Sequence, residues 1–311
     1  MRPRSSMDRA LVFGTRGCGF ESCRGRKNMN LKKYYPKRDP WSHKGQFGYV
    51  LIVAGSKRYS GSPIFNGIAA LRSGADLITI VGPKRAMDIA ASFLPDIITY
   101  PLDDELKLKH VPKILDLAKS FHSLIIGCGL SRNKETYQAI RKIIKNINLP
   151  MVIDAEAIRA VAQGKNIIKG KKALLTPHTE EFRILTGERV KPEVEERKEK
   201  VKRWANNLKT VILLKGHIDV ISDGKKVLLN KTGSSFMTKG GFGDTLTGIC
   251  GALLARGISP LEAAQVASYI NGRAGELASK KYGEGVLASD IFEFIPEVIS
   301  AHSSIGRAVA S

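Results

Sequence analysis

The sequence predicts an α/β fold, a three-layer sandwich with a mostly parallel central sheet and helices on both faces. Three observations carry this. Short β-rich runs alternate with helical patterns from residue 49 onward, which is the signature of parallel strands joined by helical crossovers. Several of the β-rich runs are almost continuously apolar, as expected of strands buried on both faces. Near the carboxyl end, Asp223-Gly224 between two β-rich runs marks a hairpin, after which the chain is helical.

In chain order, the apolar run Tyr49–Ala54 gives the first strand, and it exits into Gly55-Ser56-Lys57-Arg58-Tyr59-Ser60-Gly61-Ser62-Pro63. Ser62 followed by Pro63 reads as an N-cap with proline at the first helical position, opening a helix over Pro63–Ser73. Strands follow at Asp76–Val81 and Ile97–Tyr100, and a helix at Glu105–Ser120. Leu124–Gly127 is a strand that runs into Gly127-Cys128-Gly129-Leu130. Lys134–Asn146 has helical spacing, and Met151–Asp154 is a strand closed by a carboxylate. Ala173–Thr176 is a strand broken by Pro177, beyond which His178 and Glu181 lie one helical turn apart. Glu193–Asn207 is helical and Val211–Lys215 is a strand. Ile218–Ser222 and Lys226–Asn230 form the hairpin. Helices then cover Thr245–Arg256, Pro260–Lys280 and Ser289–Ile299. No low-complexity linker interrupts the series, so one domain is expected over residues 29–300.

The composition narrows the class. A chain of 311 residues with 43% hydrophobic content buries a substantial core. No window reaches the ~18 uninterrupted apolar residues of a membrane span. The four cysteines form no CxxC pair, which argues against zinc and against a disulfide framework; a reducing, cytoplasmic setting is expected. Cys128 and Cys250, in apolar surroundings, read as small core residues. The formal charge of +21 raises a nucleic-acid reading. Against it, the basic residues are scattered over turns and polar helix faces, with no interleaved aromatics. A solvated basic surface that attracts anionic nucleotides is the expectation, with a basic nucleic-acid-binding protein as the competing class.

The two ends read as extensions. Residues 1–28 hold seven Arg/Lys against Asp8 and Glu21, and residues 301–311 echo them: Ser5-Ser6-Met7-Asp8-Arg9-Ala10 against Ser303-Ser304-Ile305-Gly306-Arg307-Ala308. Reverse translation of Ser303–Ala308 resembles a tRNA D-arm, and Phe20-Glu21-Ser22 a T-loop. An open reading frame extended through tRNA genes accounts for both. A disordered basic tail and a transit peptide are the alternatives.

The chemistry concentrates in Lys239-Gly240-Gly241-Phe242-Gly243-Asp244-Thr245-Leu246-Thr247-Gly248. Glycines let the backbone approach a ligand, and the helix that follows directs unpaired N–H groups and its dipole at the same space. A tight strand-to-helix connection has the same composition. The aspartate separates the two readings. Its charge would repel an anion, yet it suits a hydroxyl that must be held and deprotonated against a phosphate. The run thus reads as a phosphoryl-transfer site, with Gly241, Phe242 and Gly243 as the anion hole and Asp244 as base. A helix N-terminus is expected to lower the pKa of Asp244, leaving positioning as its main contribution. His178 and Glu181 are either a capping pair or members of the cleft, with the cleft favoured. Asp154 is equally a cap or a site residue. Lys215-Gly216-His217-Ile218-Asp219 is a tight connection whose backbone suits a nucleotide, Gly216 allowing close approach.

Taken together, these loops resemble the ADP/ATP-dependent NAD(P)H-hydrate dehydratases, a branch of the ribokinase-like superfamily. The matching segments are Gly55-Ser56 with Ser60-Gly61, Gly127-x-Gly129-Leu130, Val152-Ile153-Asp154-Ala155, Thr176-Pro177-His178-x-x-Glu181-Phe182, Leu214-Lys215-Gly216, Asn230-x-Thr232-Gly233 and Gly240-Gly241-x-Gly243-Asp244-Thr245-Leu246-Thr247-Gly248. The resemblance implies a ribokinase-like sandwich and a repair reaction, in which a hydrated nicotinamide ring (NADHX or NADPHX) is phosphorylated on its hydroxyl from ADP or ATP and then loses phosphate. It implies that Ser62, Gly129, His178 and Asp244 face the hydrate, and that Lys215, Gly216, His217, Ile218, Asp219 and Gly243 face the nucleotide. Mg2+ is implied as cofactor, with Glu181 supporting it through water, and a homo-oligomer is implied as the assembly, without membrane or specific nucleic-acid partners. The chain departs from the family pattern at Phe242 (usually Thr or Ser), Ser62 (usually Ala), Cys128 and Ser131 (usually Pro and Gly) and Ser234 (usually Asn). The epimerase domain fused to many relatives would not fit in this length. A vitamin-precursor or sugar-alcohol kinase of the same superfamily is the nearest rival; sugar kinases usually carry Asn where His178 stands.

Overall fold

A computed structural model describes residues 29–301. Residues 1–28 and 302–311, on which most of the reading of the ends rests, lie outside the described residues; Ala301 closes the last helix.

The elements run β1 Tyr49–Val53, α1 Gly61–Arg72, β2 Leu77–Pro83, α2 Lys84–Phe93, β3 Ile98–Leu102, α3 Val111–Ala118, β4 Ser123–Ile126, α4 Lys134–Asn146 and β5 Met151–Ile153. They continue with α5 Glu156–Ala162, β6 Ala173–Leu175, α6 Thr179–Thr186, α7 Val194–Leu208, β7 Val211–Leu214, β8 Asp219–Ser222, β9 Val227–Asn230, α8 Phe242–Ala255, α9 Pro260–Tyr282 and α10 Ile291–Ala301. Together the strands form one nine-stranded sheet in the order β3-β2-β1-β4-β5-β6-β7-β8-β9. Pairing is parallel from β3 to β7 and antiparallel for β7–β8 and β8–β9, as the hairpin signal requires.

Alternate strand residues feed two cores. Val50, Ile52, Ile78, Ile80 and Ile125 pack under α1, α8, α9 and α10. Leu51, Val53, Leu124, Ile126 and Ile153 face α3 to α7. Burial on both faces explains the continuous apolar runs, because the period-2 alternation of side chains has no solvent side to show.

The order reverses at β1 and β4. After β1 the chain runs to one edge through β2 and β3, then returns beside β1 as β4. At such a reversal the loops leaving the two strands diverge and open a crevice beyond their carboxyl ends. Here the loops after β1 and β4 are those with paired glycines, and they are joined where Gly55 N–H donates to Cys128 O at 2.9 Å.

Several expectations are corrected. Helix α1 starts at Gly61 with Ser60 at its N-cap and no side-chain capping bond, so Ser62 is inside the first turn and not a cap. The helix expected over Glu105–Ser120 is confined to Val111–Ala118, preceded by a 3-10 turn over Leu108–His110, because Pro112 suits only a first turn. Helix α8 begins at Phe242, three residues before the expected Thr245. Two helices, α2 and α5, are absent from the sequence reading. Helix α2 buries only Ala86, Met87 and Ala90, too little apolar surface for a clear stripe.

Candidate active site

Helix α8 sets the centre of the site. Gly241 is its N-cap with φ +101°, a left-handed conformation suited to glycine, and the chain enters the helix in one step. The first-turn amides of Phe242, Gly243 and Asp244 have no intrahelical acceptors and point out of the helix start. Phe242 fits where the family pattern has a small residue because its ring is buried in the core while its backbone forms the turn.

Asp244 lies in this first turn. The Ser62 hydroxyl and the Cys128 thiol lie close enough to its carboxylate to favour the charged form. Its pKa is nonetheless raised to about 6, first by burial and then by Asp154, against the lowering effects of Ser62, Cys128 and Lys215. The expectation of a lowered pKa is therefore overturned. Removing water from the carboxylate, with a second carboxylate close by, outweighs the helix dipole. A base with a pKa near 6 binds a proton more strongly than an ordinary carboxylate, and still is mostly ionised at neutral pH.

Asp154, 3% exposed at the end of β5, anchors the rest. Its Oδ1 accepts from Thr176 Oγ1 at 2.8 Å and from Lys215 Nζ at 2.9 Å. Its Oδ2 lies 3.3 Å from the Thr247 hydroxyl and 3.6 Å from the Cys128 thiol, both donors. Burial lowers the Lys215 proton affinity, but Asp154 and Glu181 more than reverse this, so the ammonium is firmly charged. Cys128 is a buried core residue as expected, and it also touches the site. Burial, Asp154 and Asp244 all keep it a protonated thiol. Cys250 is a buried core residue as expected. Cys128, Asp154 and Asp244 have ligand atoms within 4.8 Å of one another. The trio does not suit Mg2+, a hard cation that prefers oxygen, because one member is a protonated, soft thiol.

His178 is both cap and cleft residue. Its Nδ1 accepts from the amides of Glu180 at 3.1 Å and Glu181 at 3.3 Å, while Glu181 Oε2 accepts from the His178 amide at 2.9 Å. This capping box fixes the imidazole as neutral, with its proton on Nε2. Burial and Lys215 lower its pKa in the same direction. Glu181 is buried, which raises its pKa, with Asp154 adding to the effect and Lys215 opposing it. Its Oε2 lies 3.9 Å from Lys215 Nζ.

Beside this network opens a cleft of about 770 Å³, lined by His178, by the β7–β8 connection, by the loop from Lys231 to Thr238, by the first turns of α8 and by the middle of α9. Lys215, Gly216, His217, Asp219, Phe242 and Gly243 are in its wall. Ile218 is not. The Lys215 ammonium pairs with Asp154 and lies beside Gly243, where an added Cβ would be 3.4 Å from its Nζ. Asp219 holds the loop: its Oδ1 accepts from Gly216 N at 3.0 Å and its Oδ2 from Asn230 Nδ2 at 3.1 Å. Gly216 is needed for Arg197, whose Nη2 would be 2.6 Å from an added Cβ. Ser62 and Gly129 are not in this wall; they lie against each other, where a Cβ on Gly129 would meet Ser62 Cβ at 3.1 Å.

Sequence reasoning left three residues of this network without a role. Asn66 on α1 donates to Asp244 O at 2.8 Å, and Thr176 and Thr247 hold Asp154. Nothing in their local sequence marks them; only the juxtaposition of distant loops does.

Comparison with known proteins is consistent throughout. A family model described as NAD(P)H-hydrate dehydratase matches residues 50–297. A bifunctional NAD(P)H-hydrate repair enzyme of Pyrobaculum aerophilum is 42% identical over 265 residues, 84% of this chain and 52% of that protein. The chain thus spans about half the length of that relative. The ADP-dependent (S)-NAD(P)H-hydrate dehydratase of Cenarchaeum symbiosum is 39% identical over 273 residues, 87% of this chain and 94% of that protein. Among solved structures, the ADP/ATP-dependent NAD(P)H-hydrate dehydratase of Bacillus subtilis, co-crystallised with ATP/Mg2+, superposes with a TM-score of 0.71 at 28% identity, covering 86% of this chain and 94% of that one.

Proposed function

We propose, from the premise that this chain belongs to the NAD(P)H-hydrate dehydratase family, that it restores hydrated nicotinamide coenzymes, with residues 29–300 as the catalytic unit. One observation carries the reading: the Asp244 carboxylate stands in the first turn of a helix whose opening residues, Phe242 and Gly243, line a nucleotide-sized cleft.

In this reading the hydrated ring is held by Ser62, Gly129 and His178. Asp244 accepts the proton of the ring hydroxyl as that oxygen attacks the terminal phosphorus of the nucleotide. The bond from phosphorus to the bridging oxygen breaks, and the shortened nucleotide leaves with the electron pair. The amides of Gly241, Phe242 and Gly243 stabilise charge on the transferring phosphoryl group. Hydroxide is a poor leaving group and phosphate a good one. Loss of phosphate from its ring carbon, with a proton from the neighbouring carbon, restores the double bond. His178, neutral with its proton on Nε2, is a hydrogen-bond donor for the substrate. Lys215 is held by Asp154 in the wall of the cleft, beside Gly243.

ADP is our choice of donor, as named for the Cenarchaeum relative, which this chain spans nearly end to end. Mg2+ would neutralise phosphate charge when bound. Glu181 is the oxygen donor suited to it, through water, since its carboxylate is buried and already engaged by the His178 amide. A cytoplasmic homo-oligomer is the expected form; light scattering of the purified chain measures the assembly.

The test follows the absorbance of the reduced nicotinamide ring with hydrated NADH, Mg2+ and ADP or ATP in parallel. A rise is expected, faster with ADP, and reduced roughly 10²–10⁴-fold in Asp244→Ala. A folded protein that binds nucleotide but gives no rise with either donor overturns the dehydratase reading. A stable phosphorylated alcohol from a vitamin precursor would replace it with a kinase.

A further inference from the structure

At the opposite end of the sheet, a cavity of about 200 Å³ opens where α1 and α8 finish. Three guanidiniums line it: Arg38 before β1, Arg72 in the last turn of α1, and Arg256 at the C-cap of α8, beside Tyr35, Ser73 and Ile299. Arg38 Nη2 and Arg256 Nη1 donate to the same oxygen, Gly74 O, each at 3.4 Å. Two like charges are thus held against one carbonyl. Burial and the nearby Arg38 both weaken the hold of Arg256 on its proton.

Among the described residues the charge of Asp76 offsets this convergence only in part. Among the described residues, none of the three arginines forms an ion pair, and Arg72 has no hydrogen-bond partner for its side chain. Asp76 is the nearby acid, but its Oδ2 already accepts from the amides of Gly45 and Phe47, both at 2.8 Å. Aromatic rings fix the guanidinium planes. Arg38 lies 3.6 Å from the centroid of Phe47, and Arg256 lies 4.9 Å from Tyr35 and 5.0 Å from Phe47. Stacking leaves the N–H edges available. Of five N–H donors per guanidinium, Arg256 engages Gly74 O and Tyr34 O, Arg38 engages Gly74 O, and Arg72 engages none. Ser73, fully buried in the same wall, has a hydroxyl without a hydrogen-bond partner. Negative helix ends favour one cation each at α1 and α8. They do not account for a third, nor for so many free donors around one cavity.

We propose that this cavity binds a small multivalent oxyanion of the phosphate class, inorganic phosphate or diphosphate, at a site separate from the nucleotide cleft. Planar guanidinium forks match phosphate oxygens in pairs. The volume is below the ~300 Å³ of pockets that enclose drug-sized ligands, which excludes a whole nucleotide.

Calorimetric titration of diphosphate and of orthophosphate into the full chain, at fixed ionic strength, tests the site without any hydrated coenzyme. The readout is therefore independent of the reaction proposed above. Saturable binding is expected, weakened about tenfold or more in Arg38→Gln/Arg72→Gln. Both side chains are exposed, and a melting curve verifies that the variant is folded. The stronger of the two anions identifies the ligand. No saturable binding in the wild type, or an unchanged isotherm in the variant, overturns the proposal. Equal binding of citrate removes the phosphate assignment and leaves a nonspecific basic patch.

Discussion

Asp244 decides both activity and stability at the residue scale. Its folded pKa of about 6 lies above the ordinary 3.8. Activity should therefore fall as pH drops through about 6, a limb read from kcat/KM against pH. The stability consequence has the opposite sense. A carboxyl group whose folded pKa is raised favours folding below the unfolded pKa, and that contribution is lost as pH rises from about 4 to about 6. At neutral pH the buried charge then opposes folding by on the order of 3 kcal/mol. Asp244→Asn should abolish turnover and raise the melting temperature at neutral pH, with a smaller gain near pH 4. Cys128→Ala removes a thiol that lowers the Asp244 pKa, so the acid limb should move to higher pH. An unmoved limb would show that the thiol does not contribute. Asp244 and its glycines were legible because they are contiguous. Asp154 with Lys215 was not, since the pair is joined only by tertiary structure and an aspartate ending a strand is as often a cap. Ser62 was legible as a hydroxyl at a helix start, but its true partner is the Asp244 carboxylate and not its own helix.

At the scale of elements, α1 and α8 act as one unit. Gly248 of α8 packs on α1 so closely that an added Cβ would lie 2.4 Å from Asn66 O and 2.9 Å from Ala69 Cβ. Gly248→Ala must push the two helices apart. Because Asp244 and Ser62 sit on their facing first turns, kcat should fall tenfold or more. The nucleotide KM should change less, since the cleft also draws on β8, the loop after β9 and α9. Steady-state kinetics separate these two effects. The parallel sheet, the hairpin and the long helices were legible from apolar run length and Asp223-Gly224. Helix α5 was missed for a physical reason: seven residues beginning at Glu156 are too few to display a period, and Ala155 before them takes φ +48°, which no sequence rule anticipates.

For the whole molecule, the charge of +21 should act on encounter rather than on chemistry. Nucleotide association measured by stopped flow should slow as salt rises, with kcat nearly constant. A kcat that falls in step would place the charge effect in the site itself. The reversal of strand order at β1 and β4 has a further consequence, for how the chain acquires its activity. The crevice needs β1, β4, β5, β7 and α8 together, so the first and last thirds of the domain must meet before any catalytic group has its partner. Such long-range closure is slow to form. Refolding should recover helical signal well before turnover, and regained catalysis would time the last docking of α8 onto the sheet.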